Sequence, residues 1–323
     1  MYPVGPLGQG SAVSAFYAPD PRTRERVAEF FGASIRNPNT RAAYLVAATR
    51  FAGWCEQHRL DLGQIRPLHV GGYLEQLQST HSIPSVKQHL AGLRMLFDYL
   101  VMGHVLETNP ASSVRGPRYS IKKGKTPVLS ADEARQLLNS IPTADSRGAP
   151  LLVGLRDRAM IAVMAYTFAR VSAMIGMRVE DYFQQGKRWW FRLHEKGGKY
   201  HEVPAHHKAE EYVDAWLAAA GIGKEKKSPL FRSFDQKDRC LTERGLYRQD
   251  VLRMVKRRSL AAGLPASTRC HTFRATGITA YLENGGTVEK AQAIAAHESP
   301  RTTKLYDRTS DRLTLDEIEK IGI

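Results

Sequence analysis

Apolar side chains recur at helical spacing through the first hundred residues. Between Thr40 and His58 they stand three or four positions apart, which places them on one face of a helix. The members of this face are Tyr44, Ala47, Ala48, Phe51, Trp54 and Cys55. The same pattern predicts a second helix after Pro67 and a third from Val86 to Leu100. We therefore expect an all-helical bundle over residues 23–112, after a flexible arm over residues 1–22 that is rich in Gly, Pro, Ser and Ala.

The pattern after residue 128 predicts a second, larger domain that adds a small sheet to its helices. Ser130 and Glu133 have the S-x-x-E order in which the serine caps a helix and the glutamate reaches back to the cap. Further helical patterns cover residues 154–168, 207–220, 242–262, 272–284 and 288–296. Strand-like runs over 188–193 and 200–203 flank Gly197 and Gly198, which predicts a hairpin. The expected fold class is mainly α with a small antiparallel β-sheet, the mixed α/β domain covering residues 129–310.

Two shorter segments complete the predicted organisation. Residues 113–128 form a linker with glycines, prolines and no acidic side chain. Its basic residues are Arg115, Arg118, Lys122, Lys123 and Lys125. At the other end, Thr314 and Glu317 repeat the capping-box order, so we expect a short tail helix over residues 311–323 that must dock against its own domain or a neighbouring protomer.

The charge balance indicates a polyanionic partner. The chain has 47 Lys and Arg against 32 Asp and Glu, a formal net charge of +15. Such a field attracts nucleic acid at long range. The basic linker could follow a phosphate backbone, and on the third helix Lys87 and Arg94 lie off the apolar face, where phosphate contact and simple solvation both remain open.

Several other classes of protein and site are excluded by composition. The three cysteines form no C-x-x-C pair, so neither a disulfide framework nor a zinc site is indicated. His201, His206 and His207 lack a Cys or carboxylate at zinc-site spacing and are interpreted as a solvated hairpin edge. No apolar run approaches the ~20 residues of a membrane span, and the first residues lack the order of a signal peptide. We expect a cytoplasmic, nucleoid-associated protein without metal or cofactor.

One set of polar residues in the second domain suits chemistry on a DNA phosphodiester. Its members, in chain order, are Arg170, Lys196 at the hairpin tip, His271, Arg274, His297 and Tyr306. Two arginines can stabilise the charge that develops on the non-bridging oxygens, because a guanidinium is a permanently charged planar fork of donors. A tyrosine can attack phosphorus to give a covalent phosphotyrosine. The lysine can protonate the departing oxygen, while the histidines donate hydrogen bonds or move protons.

This ordered set resembles that of the tyrosine recombinase family, which includes phage integrases and Xer-like recombinases. The resemblance spans about residues 25–310 and implies a helical core-binding domain followed by a catalytic domain. It further implies site-specific recombination of double-stranded DNA through a 3′-phosphotyrosyl intermediate, in a homotetramer that exchanges its C-terminal tails. It places the catalytic lysine before the glycines, at Lys196, which leaves Lys199 as a DNA contact.

The sequence departs from the family pattern at two positions. Ala173 stands where an acidic residue usually follows the first arginine, and we expect Glu180 or Asp181 to replace that carboxylate. Ala296 stands where glycine usually precedes the second histidine. A type IB-like topoisomerase and a non-catalytic DNA-binding regulator remain alternative functions, and accessory proteins that bend DNA or set direction remain open as partners.

Overall fold

The computed structural model describes residues 14–119, 124–195, 200–235, 237–238 and 240–307. The chain divides into two compact units, residues 1–120 and 121–323. The boundary lies inside the basic segment 113–128. Within the described ranges, no helix is both long and apolar enough to cross a membrane.

The first unit is a helical bundle. Its α-helices are α1 (Pro21–Glu29), α2 (Pro38–Gln57), α3 (Pro67–Gln78) and α4 (Ile83–Met102). Three of them begin with proline, whose fixed φ and missing N–H suit the first helical turn. Asp20 and Asn37 cap α1 and α2 by accepting hydrogen bonds from backbone amides. The core contains the fully buried rings of Phe30, Phe51 and Phe97, so the helices predicted from the apolar spacing pack as the pattern requires.

The packed part of this unit begins earlier than the sequence pattern indicated. Residues Ala15–Tyr17 form a 3₁₀ turn whose Phe16 and Tyr17 side chains are buried in the helical core. The Tyr17 hydroxyl donates to the Ala48 carbonyl oxygen at 3.2 Å. The predicted flexible arm over residues 1–22 is therefore wrong for residues 14–22. Two adjacent aromatic residues were the signal in this Gly/Pro-rich stretch.

The second unit carries the remaining helices. They are α5 (Ala131–Ser140), α6 (Leu152–Tyr166), α7 (Val171–Ile175), α8 (His207–Ala220), α9 (Arg248–Ala261), α10 (Cys270–Glu283), α11 (Val288–Ile294) and α12 (Pro300–Lys304). The predicted capping box at the start of α5 is confirmed: Ser130 Oγ accepts from the Glu133 amide at 3.1 Å, and the Glu133 carboxylate accepts from the Ser130 amide at 2.7 Å.

Two small antiparallel sheets flank these helices. One contains β1 (Tyr182–Gln185), β2 (Arg188–His194) and β3 (Tyr200–Pro204), in that spatial order. The other is the pair β4 (Arg232–Asp235) and β5 (Cys240–Gly245). The helix predicted over 242–262 is wrong at its start, because residues 240–245 are paired as a strand and α9 begins at Arg248. The mainly α fold class with a small antiparallel sheet is confirmed.

Helices α6 and α10 approach closely where the chain leaves α6. An added Cβ at Gly277 would collide with the Ala165 carbonyl oxygen and with the Phe168 ring, the latter at 2.7 Å. Only glycine therefore permits this approach. It brings the first turns of α10 against the loop between α6 and α7, which is where the polar residues of interest meet.

Candidate active site

Arg170 lies at the start of α7, directly after a strained turn. Phe168 has a φ of +55°, in the left-handed region that a bulky residue rarely adopts. Its side chain is buried in a small cluster with Ile278, Leu282 and Tyr306, which holds the turn in place. Arg170 follows as the N-cap residue of α7, with its side chain 39% exposed. The guanidinium is thus anchored on the protein but accessible from solution.

Arg274, in the second turn of α10, is almost completely buried. It donates to the carbonyl oxygen of Phe168 and, at 2.6 Å, to that of Ala295. Burial and the charge of Arg170 lower its pKa to about 10, so the guanidinium remains charged at neutral pH. Through these two bonds Arg274 ties the turn before Arg170 to the end of α11.

His297 and Tyr306 are brought together by the short helix α12. His297 Nδ1 lies 2.9 Å from the Thr303 hydroxyl, and the Tyr306 amide donates to the Thr303 carbonyl at 2.9 Å. Thr279 of α10 donates to the Tyr306 carbonyl at 3.0 Å. The chain turns into this arrangement at Ala296, whose φ of +46° is the left-handed conformation that favours glycine.

The Tyr306 ring lies between the two histidines. Its hydroxyl is 2.7 Å from His271 Nε2. The His297 ring is parallel to it within 9°, with the centroids 5.9 Å apart. Arg170 and His271 also line one cleft of about 620 Å³, together with Arg248, Gln249 and other residues at the start of α9. The structure therefore collects Arg170, His271, Arg274, His297 and Tyr306, which are widely separated in the sequence.

Burial and positive charge set the protonation states in this group. Burial raises the pKa of Tyr306, with the Arg274 and Arg170 charges acting in the opposite direction. Burial and the same two charges lower the pKa of His271, and they lower that of His297 to about 3. At neutral pH both imidazoles are neutral beside a protonated tyrosine. A neutral His271 in hydrogen-bond contact is able to accept the phenolic proton.

The carboxylate that contacts Arg170 is Glu195, so the prediction of Glu180 or Asp181 is wrong. Arg170 Nη1 donates to Glu195 Oε2 at 2.5 Å. Asp181 instead accepts from the Arg178 amide at 2.8 Å and lies 3.0 Å from His194 Nε2. Glu180 lies 3.9 Å from Arg178 and 3.8 Å from Lys227. Glu180 and Asp181 therefore contact other residues near the start of β1. Strand β2 ends directly before Glu195, which contacts Arg170.

The other predicted residues fall into three groups. Lys122, Lys123, Lys196 and Lys199 lie outside the described residues, as does the tail 311–323. Lys87, Arg115, Arg118 and Lys125 are exposed. Arg94 is not a free surface cation, because it donates to the carbonyl oxygens of Ala111 at 3.1 Å and Val114 at 2.5 Å. These bonds give Arg94 a structural role, and a phosphate contact through its remaining donors stays a prediction.

Of the three histidines expected at a solvated hairpin edge, His206 and His207 are exposed and His201 is half-buried. His201 Nε2 is 3.0 Å from the Ile294 carbonyl oxygen, and the His206 ring stacks on Tyr166 at 4.1 Å. Among the described residues no group of three or more His, Cys, Asp or Glu side chains could hold a metal ion.

Known proteins share both the sequence and the fold. The family model for the "Phage integrase family" matches residues 127–312, more than half of the chain. The tyrosine recombinase XerD of Corynebacterium glutamicum is 30% identical over 287 residues, covering 85% of this chain and 89% of that protein. The tyrosine recombinase XerC of Vibrio atlanticus is 29% identical over 271 residues, covering 83% and 78%.

Solved structures with the same fold include recombinases bound to DNA. The XerH site-specific recombinase in a post-cleavage complex with palindromic difH substrate has a TM-score of 0.69 at 20% identity, covering 87% of this chain and 79% of that one. A lambda integrase dimer bound to a COC′ core site has a TM-score of 0.64 at 16% identity, covering 89% and 77%. Together with the family match, these similarities establish that the chain belongs to the phage integrase family and is a tyrosine-type site-specific DNA recombinase.

Proposed function

We propose that this recombinase cuts and rejoins DNA through a covalent 3′-phosphotyrosyl link at Tyr306, and that it does so in a tetramer assembled on two recombination sites. The observation that carries the proposal is the 2.7 Å contact between the Tyr306 hydroxyl and His271 Nε2. The positive charges of Arg170 and Arg274 act on the same tyrosine. A phenol beside a neutral imidazole and two cations is the arrangement that an oxygen nucleophile for an anionic phosphodiester needs.

In the proposed cleavage step, the Tyr306 oxygen forms a bond to the phosphorus and the bond to the 5′ oxygen breaks. His271 accepts the phenolic proton, and the departing 5′ oxygen takes up a proton to leave as a hydroxyl. Arg170 and Arg274 donate to the non-bridging oxygens, where charge accumulates. The buried Arg274 also holds its surroundings fixed, so its charge is already oriented before DNA binds.

Lys196 is the proposed proton donor to the 5′ oxygen. It follows Glu195 directly in the sequence, and Glu195 contacts Arg170. Lys199, on the other side of the glycines, is proposed as a DNA contact, as are the exposed Lys87, Arg115, Arg118 and Lys125, together with Lys122 and Lys123. A 5′-bridging phosphorothioate tests the assignment, because sulfur leaves without needing a proton. The phosphorothioate should restore cleavage by Lys196→Ala. Lys199→Ala should cleave ordinary DNA and so need no such substrate.

Rejoining reverses these steps. The 5′-hydroxyl of a partner strand attacks the phosphotyrosine, and Tyr306 recovers its proton. Because the covalent bond conserves the energy of the phosphodiester, the proposed reaction requires no ATP. Exchange between two duplexes requires cutting by several protomers. We propose that the tail 311–323 docks on a neighbouring protomer and so makes cutting depend on assembly.

Covalent capture on DNA tests the proposal. The tagged protein is mixed with fragmented DNA from the organism that encodes it and denatured in SDS, and the attached DNA ends are sequenced. We expect attachment at 3′ ends within a small set of related sites. Two such sites on separate duplexes should then yield recombinants. Relaxation of supercoiled DNA without exchange would instead support a topoisomerase, and DNA binding without any adduct would support a non-catalytic regulator.

A further inference from the structure

The pair formed by Arg170 and Glu195 joins two parts of the candidate active site. Arg170 starts α7, and Glu195 directly follows β2. Their nitrogen and oxygen are 2.5 Å apart, and the Glu195 side chain is only 6% exposed. Its Oε1 atom is buried and has no hydrogen-bond partner among the described residues. A buried carboxylate is costly to desolvate, so it must be balanced by the cation that it contacts.

Helix α7 itself supplies no carboxylate to Arg170. Position 173, three residues after it, is an alanine with 1% exposure in the hydrophobic core. The charge of Arg170 also lowers the pKa of Arg274, so the two guanidiniums repel each other. The Glu195 charge acts in the opposite direction on Arg274. Glu195 therefore reduces the mutual repulsion of two guanidiniums that must converge on one phosphate.

We propose that Glu195 is the positioning residue of this active site: it holds Arg170 in the orientation that receives the DNA phosphate. The inference rests on the proposed function of Arg170. Glu195 contacts the arginine by one oxygen and leaves the exposed part of the guanidinium free to bind the phosphate. Because Glu195 is adjacent in sequence to Lys196, the same contact also links Arg170 to the chain segment that carries the proposed proton donor.

Glu195→Gln separates positioning from binding and folding. The amide keeps the shape and one acceptor oxygen but removes the charge. The probe is a nicked duplex carrying a site found by covalent capture, from which the short cut fragment diffuses away and traps the adduct. Single-turnover adduct formation, DNA affinity on the intact duplex and the melting temperature are measured for each variant.

We expect Glu195→Gln to slow adduct formation by about 10- to 100-fold, the loss typical of a misplaced reacting group. Its DNA affinity should be unchanged or higher, because a negative charge beside the phosphate site is lost. Glu195→Asp keeps the charge but holds it one methylene further from Arg170. Its rate of adduct formation should lie between those of Glu195→Gln and the wild type. Glu202→Gln is the matched control: Glu202 accepts from Arg192 Nε at 2.9 Å in a partly exposed pair on the same sheet, and its rate should stay within about twofold of the wild type.

The outcomes are distinguishable. If Glu195→Gln forms adduct as fast as Glu202→Gln, Glu195 does not position Arg170. If its affinity and melting temperature fall together with the rate, its role is structural and the inference is overturned. If the wild type itself forms no adduct, the proposed function fails, irrespective of Glu195.

Discussion

Arg274 donates from its guanidinium to the carbonyl oxygen of Phe168, two residues before Arg170. One arginine of the site thus holds the turn that presents the other. That turn is strained at Phe168, whose φ is +55°, and strain of this kind persists only where surrounding contacts over-determine it. The buried Arg274 is therefore expected to be both an electrostatic and a structural residue.

Arg274→Lys should damage activity and stability together. A lysine keeps the charge but cannot donate to the Phe168 and Ala295 carbonyls in the planar geometry of a guanidinium. We expect the free energy of unfolding to fall by about 1–3 kcal/mol and single-turnover cleavage to fall by more than about 10²-fold. Urea unfolding and adduct formation measure the two effects.

Arg253→Lys is the control for that substitution. Arg253 lies on α9 with its side chain 75% exposed and pairs only with the neighbouring Asp250 among the described residues. Its replacement should change neither quantity appreciably. Wild-type stability and cleavage in Arg274→Lys would contradict the double role.

Gly277→Ala should destabilise the second unit. The new Cβ would collide with the Ala165 carbonyl oxygen and the Phe168 ring, so α6 and α10 would have to separate. We expect a loss of about 1–3 kcal/mol. Gly71→Ala in α3, where a Cβ meets nothing within 4 Å, should instead be neutral or stabilise by up to about 1 kcal/mol. Equal melting-temperature changes in the two variants would refute the close approach at Gly277.

Ala296→Gly should stabilise the protein. Ala296 has a φ of +46°, where an alanine is strained and glycine is not. We expect a gain of about 0.5–1 kcal/mol in the free energy of unfolding. Ala293→Gly, at an exposed position inside α11, should lower the free energy of unfolding by about 0.5–1 kcal/mol. Its backbone is already helical, so the glycine relieves no strain and only makes the unfolded chain more flexible. The idea is wrong if both variants lose stability to the same extent.

Stability should fall in mild acid because of His297. Its pKa is lowered to about 3 by burial and by Arg274 and Arg170, whereas an unfolded histidine titrates near ~6.5. The unfolded chain therefore binds the proton first. The stabilisation is complete above about pH 6.5 and is lost as the pH falls from there towards 3. We therefore expect the free energy of unfolding, measured in urea, to fall between pH 7 and pH 4.5 in both proteins. The fall should be smaller in His297→Gln than in the wild type, by on the order of 1 kcal/mol. Parallel losses in the two proteins would exclude this contribution.

Much of the helical framework could be predicted from the sequence, because apolar spacing and capping residues are local signals. The face that includes Phe51 and the capping box of Ser130 and Glu133 both appear in the structure. The strand β5 could not be predicted in this way, since its side chains are mostly half-buried or exposed and its apolar residues are too few to show alternation. Its pairing with β4 depends on contacts that become visible only in the folded chain.

The residues that form the candidate site could be predicted more readily than the contacts between them. The residue types at positions 170, 271, 274, 297 and 306 indicated phosphoryl chemistry, and the structure brings these positions together. The partner of Arg170 was missed because it was sought on the segment that follows the arginine. Glu195 instead follows directly after β2, and its only sequence signal is an acidic residue directly before the hairpin lysine. The carbonyl partners of Arg94 were not predicted, because a helix position off the apolar face does not reveal a backbone carbonyl beside it.

The most direct test of the account is to locate the DNA on the protein. The trapped adduct is digested with nuclease and trypsin, and mass spectrometry identifies the peptide that retains a nucleotide. We expect a 3′-linked nucleotide on Tyr306, within the peptide that starts at Leu305 and ends at Arg308. Tyr306→Phe should bind the same DNA with nearly unchanged affinity but yield no adduct. A nucleotide on any other residue, or an adduct recovered from Tyr306→Phe, would rule out Tyr306 as the nucleophile.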